Sequence, residues 1–201
     1  MTTQPSAVPR FSAQRLLIVG TGALGVSSLP GWLGWFRETY PETETKVLLT
    51  RQATTFVTPA TLTTIGGRSV LHDVWSTELE VAAPHVQLSQ WADAVAVYPA
   101  TFHFVSRFAT GLADTPAMLA LQCTTAPIGI APALPPGGYE SYAFRSHLAA
   151  LRNRLNVVVA KPEPGISITS GKIEAATAAP LPTLLQMIEE LHAKLGETSA
   201  S

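Results

Sequence analysis

PHVQLSQWADAVAVYPATFHFVSRF, residues 84–108, decides how this chain is read. Its centre, Ala94–Val97 (AVAV), is a short apolar run without a polar alternate. Such a run is the mark of a strand covered on both faces, as in a parallel sheet. Pro99-Ala100-Thr101 follows where a parallel strand hands over to a helix, and in open α/β sheets ligands bind at that carboxyl edge. His85 lies upstream, just after Pro84 and ahead of Trp91-Ala92-Asp93.

Working outward, Leu16–Val19 (LLIV) is a second buried strand, and Gly20-Thr21-Gly22-Ala23-Leu24-Gly25 fits G-x-G-x-x-G directly after it. Glycines let backbone approach a phosphate, and a following helix N-terminus favours its charge. The helical pattern then runs to about Tyr40. A tight strand-to-helix turn without a ligand fits the same string. Lys46–Thr50 (KVLLT) is the next strand. A nicotinamide enzyme places an acid near the end of this strand to hold the ribose. Here Thr50 and Arg51 stand there, which leaves only an NADPH reading through the arginine. Thr50, Thr54 and Thr55 offer hydroxyl donors, and the same threonine-rich string suits the N-cap of a helix over 58–65. Residues 66–84 read as a surface loop carrying His72, Trp75, Glu78 and Glu80.

Downstream, a helix is expected from Phe104 to Gly111, and a second, capped by Asp114-Thr115-Pro116, from Ala117 to Leu121. Strands follow at Ile128–Ile130 and Asn156–Ala160. Pro136-Gly137-Gly138-Tyr139 reads as a hinged lid before a helix over 144–154. Pro162, Pro164 and Gly165 break the last strand, and Pro182–Leu195 forms an amphipathic terminal helix.

With 201 residues, 46% of them apolar, the chain can bury the core of one α/β domain. That domain is expected over residues 14–195, with disordered tails at 1–13 and 196–201. Only 13% of residues are charged, so surface is expected to be lost to subunit contacts. The net charge of −1 and the lack of a basic stripe exclude a nucleic-acid footprint. A single cysteine, Cys123, excludes an intrachain disulfide. No apolar run is long enough for a membrane span, and the N-terminal residues lack the pattern of a signal peptide. A cytoplasmic protein with no membrane partner is expected.

The order His85, Trp91-Ala92-Asp93, apolar strand, Pro99-Ala100-Thr101 resembles the homo-oligomeric flavin-containing cysteine decarboxylases, most of all the lantibiotic-type peptidyl-cysteine decarboxylases of epidermin and mersacidin type. That family has Pro-Ala-Ser-Ala-Asn-Thr after the strand, where this chain reads Pro99-Ala100-Thr101-Phe102-His103-Phe104. The string Thr50–Val57 resembles the family's second phosphate loop. Ala131-Pro132-Ala133-Leu134-Pro135 stands where the family has Pro-Ala-Met-Asn or Pro-Asn-Met-Asn, with Pro135 in place of the asparagine. Ile168–Ile173 resembles the Ser-Gly-Arg string of the peptide enzymes. Thr169 and Ser170 lie where phosphopantothenoylcysteine decarboxylases carry a reducing cysteine.

The resemblance implies a three-layer Rossmann-like, flavodoxin-like α/β sandwich around a parallel sheet. It implies FMN, with FAD as the alternative. The cofactor would be held by Gly20, Thr21, Gly22 and Ala23, by Thr50, Ala53, Thr54 and Phe56, and by Pro99, Ala100, Thr101 and His103. It makes His85 catalytic and assigns the substrate to Leu134, Pro135, Gly137, Gly138, Tyr139 and Tyr142, with no metal. The implied partner is a precursor peptide ending in cysteine, and the implied assembly a trimer or dodecamer. The implied reaction is oxidative decarboxylation to an aminoenethiol, for S-aminovinyl-cysteine formation. A cysteine carboxylate lacks an electron sink. Oxidation of its side chain to a thioaldehyde supplies one, with flavin as hydride acceptor and a neutral-range base for the thiol. Phosphopantothenoylcysteine decarboxylase and an NAD(P)-binding reductase, or a non-catalytic nucleotide-binding subunit, are the alternatives.

Overall fold

The computed structural model describes residues 8–76 and 83–199. Six strands, β1 (Arg15–Gly20), β2 (Glu44–Leu49), β3 (Leu71–His72), β4 (Ala94–Thr101), β5 (Ile128–Ala133) and β6 (Val157–Val159), form one sheet. Its order is β3-β2-β1-β4-β5-β6, and every pairing is parallel. Alternate residues of β1 enter different cores. Leu16 and Ile18 pack under α1 (Leu29–Thr39), α2 (Pro59–Gly66) and α7 (Leu181–Ser199). Leu17 and Val19 pack under α3 (Pro84–Trp91), α4 (Phe102–Ala109), α5 (Pro116–Cys123) and α6 (Tyr142–Arg152). The fully apolar strands required helices on both faces, and the result is the expected three-layer α/β sandwich.

Helix ends follow their local chemistry. Thr58, Thr101, Thr115 and Ser141 each cap a helix by accepting the N–H three residues on. Gly111, at φ 76°, stops α4 in the left-handed conformation, with Leu112 N–H reaching back to the Arg107 carbonyl.

Several boundaries differ from the sequence reading. β4 extends past Val97 to Thr101, with a register shift against β5 between Val97 and Ala100. The stretch after Gly20 does not open a helix directly: a 3-10 turn, Leu24–Ser28, precedes α1. Residues 9–13 are not a loose tail. Tyr40 Oη donates to the Pro9 carbonyl at 2.5 Å, Phe11 packs on Phe36 and Tyr40, and Ser12 donates twice to Glu189. At the other end α7 continues past 195 to Ser199. Residues 1–7 and 200–201 of the expected tails lie outside the described residues, as do Glu78 and Glu80 of the acidic patch. His72, read as loop, belongs to the edge strand β3. An antiparallel hairpin, β7 (Glu163–Ile166) and β8 (Ile173–Thr177), occupies a region read only as broken strand. Pro164 is tolerated there because a two-stranded ribbon leaves backbone N–H positions unpaired.

α7 can lie close on the sheet because β5 has a glycine beneath it. A Cβ on Gly129 would stand 2.5 Å from Ile188 Cγ1 and 3.0 Å from Leu184 Cδ1. Gly129→Val should therefore destabilise the fold by about 1–3 kcal/mol through overpacking, read as a lower denaturant midpoint.

Candidate flavin site

The strand order reverses direction between β1 and β4, so the loops after these strands diverge and leave a crevice at the carboxyl edge. Thr21 bridges its floor. This side chain is 1% exposed, and its Oγ1 donates to the Pro99 carbonyl at 2.6 Å and accepts Thr101 N–H at 2.9 Å. The loop after β2 closes over the first loop. Thr50 N–H donates to the Gly20 carbonyl, and a Cβ on Gly22 would stand 2.4 Å from Gln52 Cβ. Glycine is needed at 22 for this approach of two loops. Gly25 has no such neighbour, its nearest being Pro99 Cγ at 3.8 Å from a notional Cβ.

A cavity of about 390 Å³ opens above this floor. Five of the expected cofactor residues, Thr21, Gly22, Thr50, Thr101 and His103, line it. Thr50 Oγ1 is buried without a partner among the described residues, a polar atom placed for a ligand group. Thr101 begins α4 at the cavity wall, so that helix end and the glycine loop together form a place for a single phosphate. The residues present thus fit FMN.

Other expected cofactor residues serve the scaffold. Gly20 makes room for Leu49, whose Cδ2 would be 2.6 Å from a Cβ at that position. Ala23 accepts Val26 N–H and starts the 3-10 turn. Ala53 and Ala100 are completely buried, and Pro99 acts through its carbonyl. The Thr54 and Thr55 hydroxyls donate to the Arg51 and Gln52 carbonyls, which turns their hydrogens away from a phosphate. Phe56 is 44% exposed and does not belong to the cavity wall.

The wall also contains residues that sequence reading missed: Gln52, Asp73, Phe104, Arg107 and Thr115, together with Arg51, weighed earlier only for a nicotinamide cofactor. Asp73 follows β3, is 5% exposed, and accepts Ala117 N–H at 2.9 Å in the first turn of α5. Burial pushes its carboxyl above the usual aspartate range, against the bonds from Ala117 and Thr115. Arg107 donates to Asp114 through Nε and Nη2, and to Thr115 Oγ1 at 3.3 Å. The bond from Arg107 holds the Asp114 carboxyl below its ordinary value. An acid in a stretch without periodicity gives no sequence signal for such a site.

His85 lies in the first turn of α3 rather than before a loop, at the same sheet edge but outside the cavity wall. Its ring meets Trp75, and its Nδ1 is buried without a partner among the described residues. Further along the edge a second cavity, about 380 Å³, is lined by Pro135, Gly137, Tyr139, Lys161 and the strands of the β7–β8 hairpin. Leu134 is buried and paired in both directions with Ala176 of β8, while Tyr142 is 86% exposed. The expected glycine lid is instead a packed turn. Gly138 N–H donates to the Pro135 carbonyl, Ser141 N–H to the Gly138 carbonyl, and the Tyr139 ring stacks on Phe144. Exposed apolar side chains at this edge are carried by the hairpin, at Ile166, Ile168 and Ile173.

A parallel sheet with a one-phosphate cleft at its switch point defines the class, a flavodoxin-like flavin-binding protein. The Flavoprotein family profile matches residues 9–193, and the chain belongs to that family. It is 31% identical over 159 residues to the cypemycin cysteine dehydrogenase (decarboxylating) of Streptomyces sp., covering 79% of this chain and 82% of the relative. The crystal structure of the cypemycin decarboxylase CypD superposes with a TM-score of 0.76 at 27% identity, over 93% of this chain and 98% of that one. The FMN-dependent cysteine decarboxylase TvaF, from thioviridamide biosynthesis, superposes with a TM-score of 0.71 at 26% identity, over 90% and 98%. The coenzyme A biosynthesis bifunctional protein CoaBC of Haemophilus influenzae is 35% identical over 113 residues, 56% of this chain; the chain spans only 28% of that relative's length. The nicotinamide reading is overturned by this family membership, and the 3-10 turn in place of the fingerprint helix agrees.

Two outcomes follow from the geometry. Thr21→Val should leave the Pro99 carbonyl and Thr101 N–H without their buried partner, cost about 1–3 kcal/mol, and release flavin on gel filtration. Asp73 keeps its proton to higher pH in the folded state than in the unfolded chain. Stability should thus fall as pH rises from the ordinary aspartate range, about pH 4, through the raised value, and stay lower above it. Urea unfolding across that range should show the fall in the wild type and its removal in Asp73→Asn.

Proposed function

We propose that this protein is an FMN-dependent oxidative decarboxylase of a C-terminal cysteine in a ribosomally made precursor peptide, yielding an aminoenethiol for S-aminovinyl-cysteine formation. The observation that carries this reading is the one-phosphate cleft at the β1–β4 switch point, with its unpartnered Thr50 hydroxyl, beside a second cavity roofed by a hairpin. The cypemycin enzyme matches this chain over 82% of its own length, whereas the bifunctional CoaBC of Haemophilus influenzae matches over only 28% of its length.

Bound FMN supplies the hydride acceptor. Thr50, the Gly22 loop and the start of α4 hold its phosphate, and Asp73 and Arg107 line the remaining wall. The peptide's last residues lie in the second cavity, between Tyr139 and the hairpin, where Ile173 excludes water from the backbone of an extended chain. His85 takes the thiol proton. Its place outside the flavin cavity wall suits action on a substrate spanning both cavities or on the site of a neighbouring copy. The enzyme works as a cytoplasmic oligomer, trimer or dodecamer, and the hairpin isoleucines are among the exposed apolar side chains available for contacts. No helix among the described residues is long and apolar enough to cross a membrane.

Pro135 has no donor for a carboxylate, and its carbonyl is taken by Gly138. His103, exposed on the flavin cavity wall, is the side chain placed to take that part. No reducing thiol stands in the hairpin: Cys123, the single cysteine, ends α5. The product therefore leaves as the enethiol, and an external acceptor reoxidises the cofactor.

Mass spectrometry of a peptide ending in cysteine should show a loss of about 46 Da, carbon dioxide plus two hydrogens, with hydride passing to the cofactor. A loss of about 44 Da would assign the chain to the reductive branch. His85→Asn should keep flavin and assembly but slow turnover by about 10²–10⁴-fold.

A further inference from the structure

A catalytic histidine is ordinarily held in orientation by a hydrogen bond on its second ring nitrogen, given to a carboxylate or a carbonyl. His85 lacks that device among the described residues: its Nδ1 is buried and unpartnered. Among the described residues, the contact that can orient the ring beyond its Cβ is a ring contact.

Trp75 is in contact with it. The two ring centroids are 5.7 Å apart at an interplanar angle of 75°, an edge-to-face pair. The indole is itself anchored. Its Nε1 donates to the Asp114 carbonyl at 2.8 Å, and the Asp114 carboxylate is ion-paired with Arg107, whose side chain lines the flavin cavity. A continuous path of contacts thus runs from the flavin cavity wall through Arg107, Asp114 and Trp75 to His85. Trp75 is 44% exposed, so filling the core does not account for a side chain this large at the sheet edge.

We infer that Trp75 is a positioning residue for His85, setting the imidazole plane by ring contact and referencing it to the flavin cavity through Asp114. This rests on the proposal that His85 is the base. Misplacement of a reacting group by about 1 Å can cost on the order of 10²-fold in rate, so loss of the indole should act on turnover and not on binding.

The test compares Trp75→Leu, Trp75→Phe, His85→Asn and the double variant Trp75→Leu/His85→Asn, each as flavin-loaded full-length protein acting on a cysteine-terminated peptide. Trp75→Leu should lower kcat about 10-fold or more, with KM, flavin content and thermal midpoint near wild type. Trp75→Phe, which retains an aromatic edge but gives up the bond to Asp114, should fall between the two. In the His85→Asn background, Trp75→Leu should have no further effect, because a positioning residue acts only through the group it positions. An unchanged kcat in Trp75→Leu overturns the inference. So does a rise in KM or a loss of flavin as the main effect, which would make Trp75 a substrate or cofactor contact. Additive losses in the double variant also overturn it. Near-normal turnover of His85→Asn would instead remove the base assignment itself, an outcome distinct from failure at Trp75 alone.

Discussion

The site depends on one buried hydroxyl. At the switch point β1 and β4 stop being bound by their ladder, and the backbone beyond them turns away on both sides. Thr21 Oγ1 joins the two ends, giving its hydrogen to the Pro99 carbonyl and receiving Thr101 N–H. Both backbone groups would otherwise be polar atoms shut away from water, each at a cost comparable to a lost hydrogen bond. The clasp fixes where α4 begins, hence where its N-terminal dipole points. It also fixes the loop whose Gly22 lets Gln52 approach. On the proposed reading, flavin phosphate recognition is built from backbone geometry, with few side-chain charges.

The same carboxyl edge is divided between two tasks. Over β1, β2 and β4 lies the flavin cavity, lined by threonines and by a partly buried network of Asp73, Arg107 and Thr115. Over β5 and β6 lies the cavity with the hairpin above it, lined by prolines, Tyr139 and Ile173 together with three glutamates and Lys161. A hydride acceptor has to be fixed, and buried hydrogen bonds do that. On the proposed function a peptide has to enter and leave, and the two-stranded ribbon is held to the sheet by the Leu134–Ala176 pairing. Asp73 shows the cost of the first arrangement: its carboxylate holds the start of α5 while desolvation opposes its charge.

Much of the fold was legible because strands buried on both faces have to be continuously apolar. LLIV at 16–19 and AVAV at 94–97 have no other comfortable place. Helix starts were legible where Thr or Ser precedes the first turn, as at Thr58 and Thr115. The site was legible in part, through Gly22, Thr50, Thr101 and His103. Thr54 and Thr55 misled because a hydroxyl in a 3-10 turn can satisfy a carbonyl three residues back more cheaply than it can wait for a ligand. The Gly137-Gly138 pair, read as a hinge, sits in a packed turn. Gly137 takes φ 73°, and Gly138 packs against Pro135, so these glycines serve a tight turn and not a hinge. The hairpin went unseen because its strands are half-exposed, interrupted by Pro164 and Gly165, and lack period-two patterning.

By itself, then, the sequence determined what hydrophobic patterning and local capping determine: a parallel α/β sandwich, the positions of its apolar strands β1, β2, β4, β5 and β6, and a glycine loop at the end of β1. It also carried the family's order of motifs, His85 included. Tertiary structure alone decided which polar groups face one another. Asp73, Arg107 and Asp114 are separated by up to 41 residues in the chain and come together because the end of β3, the α4 helix and the start of α5 lie at one edge. Trp75 meets His85 for the same reason. Burial against water is encoded in each residue's own chemistry and so can be read along the chain. The partner of a hydrogen bond or an aromatic edge is set by how distant segments pack, and no local pattern records it.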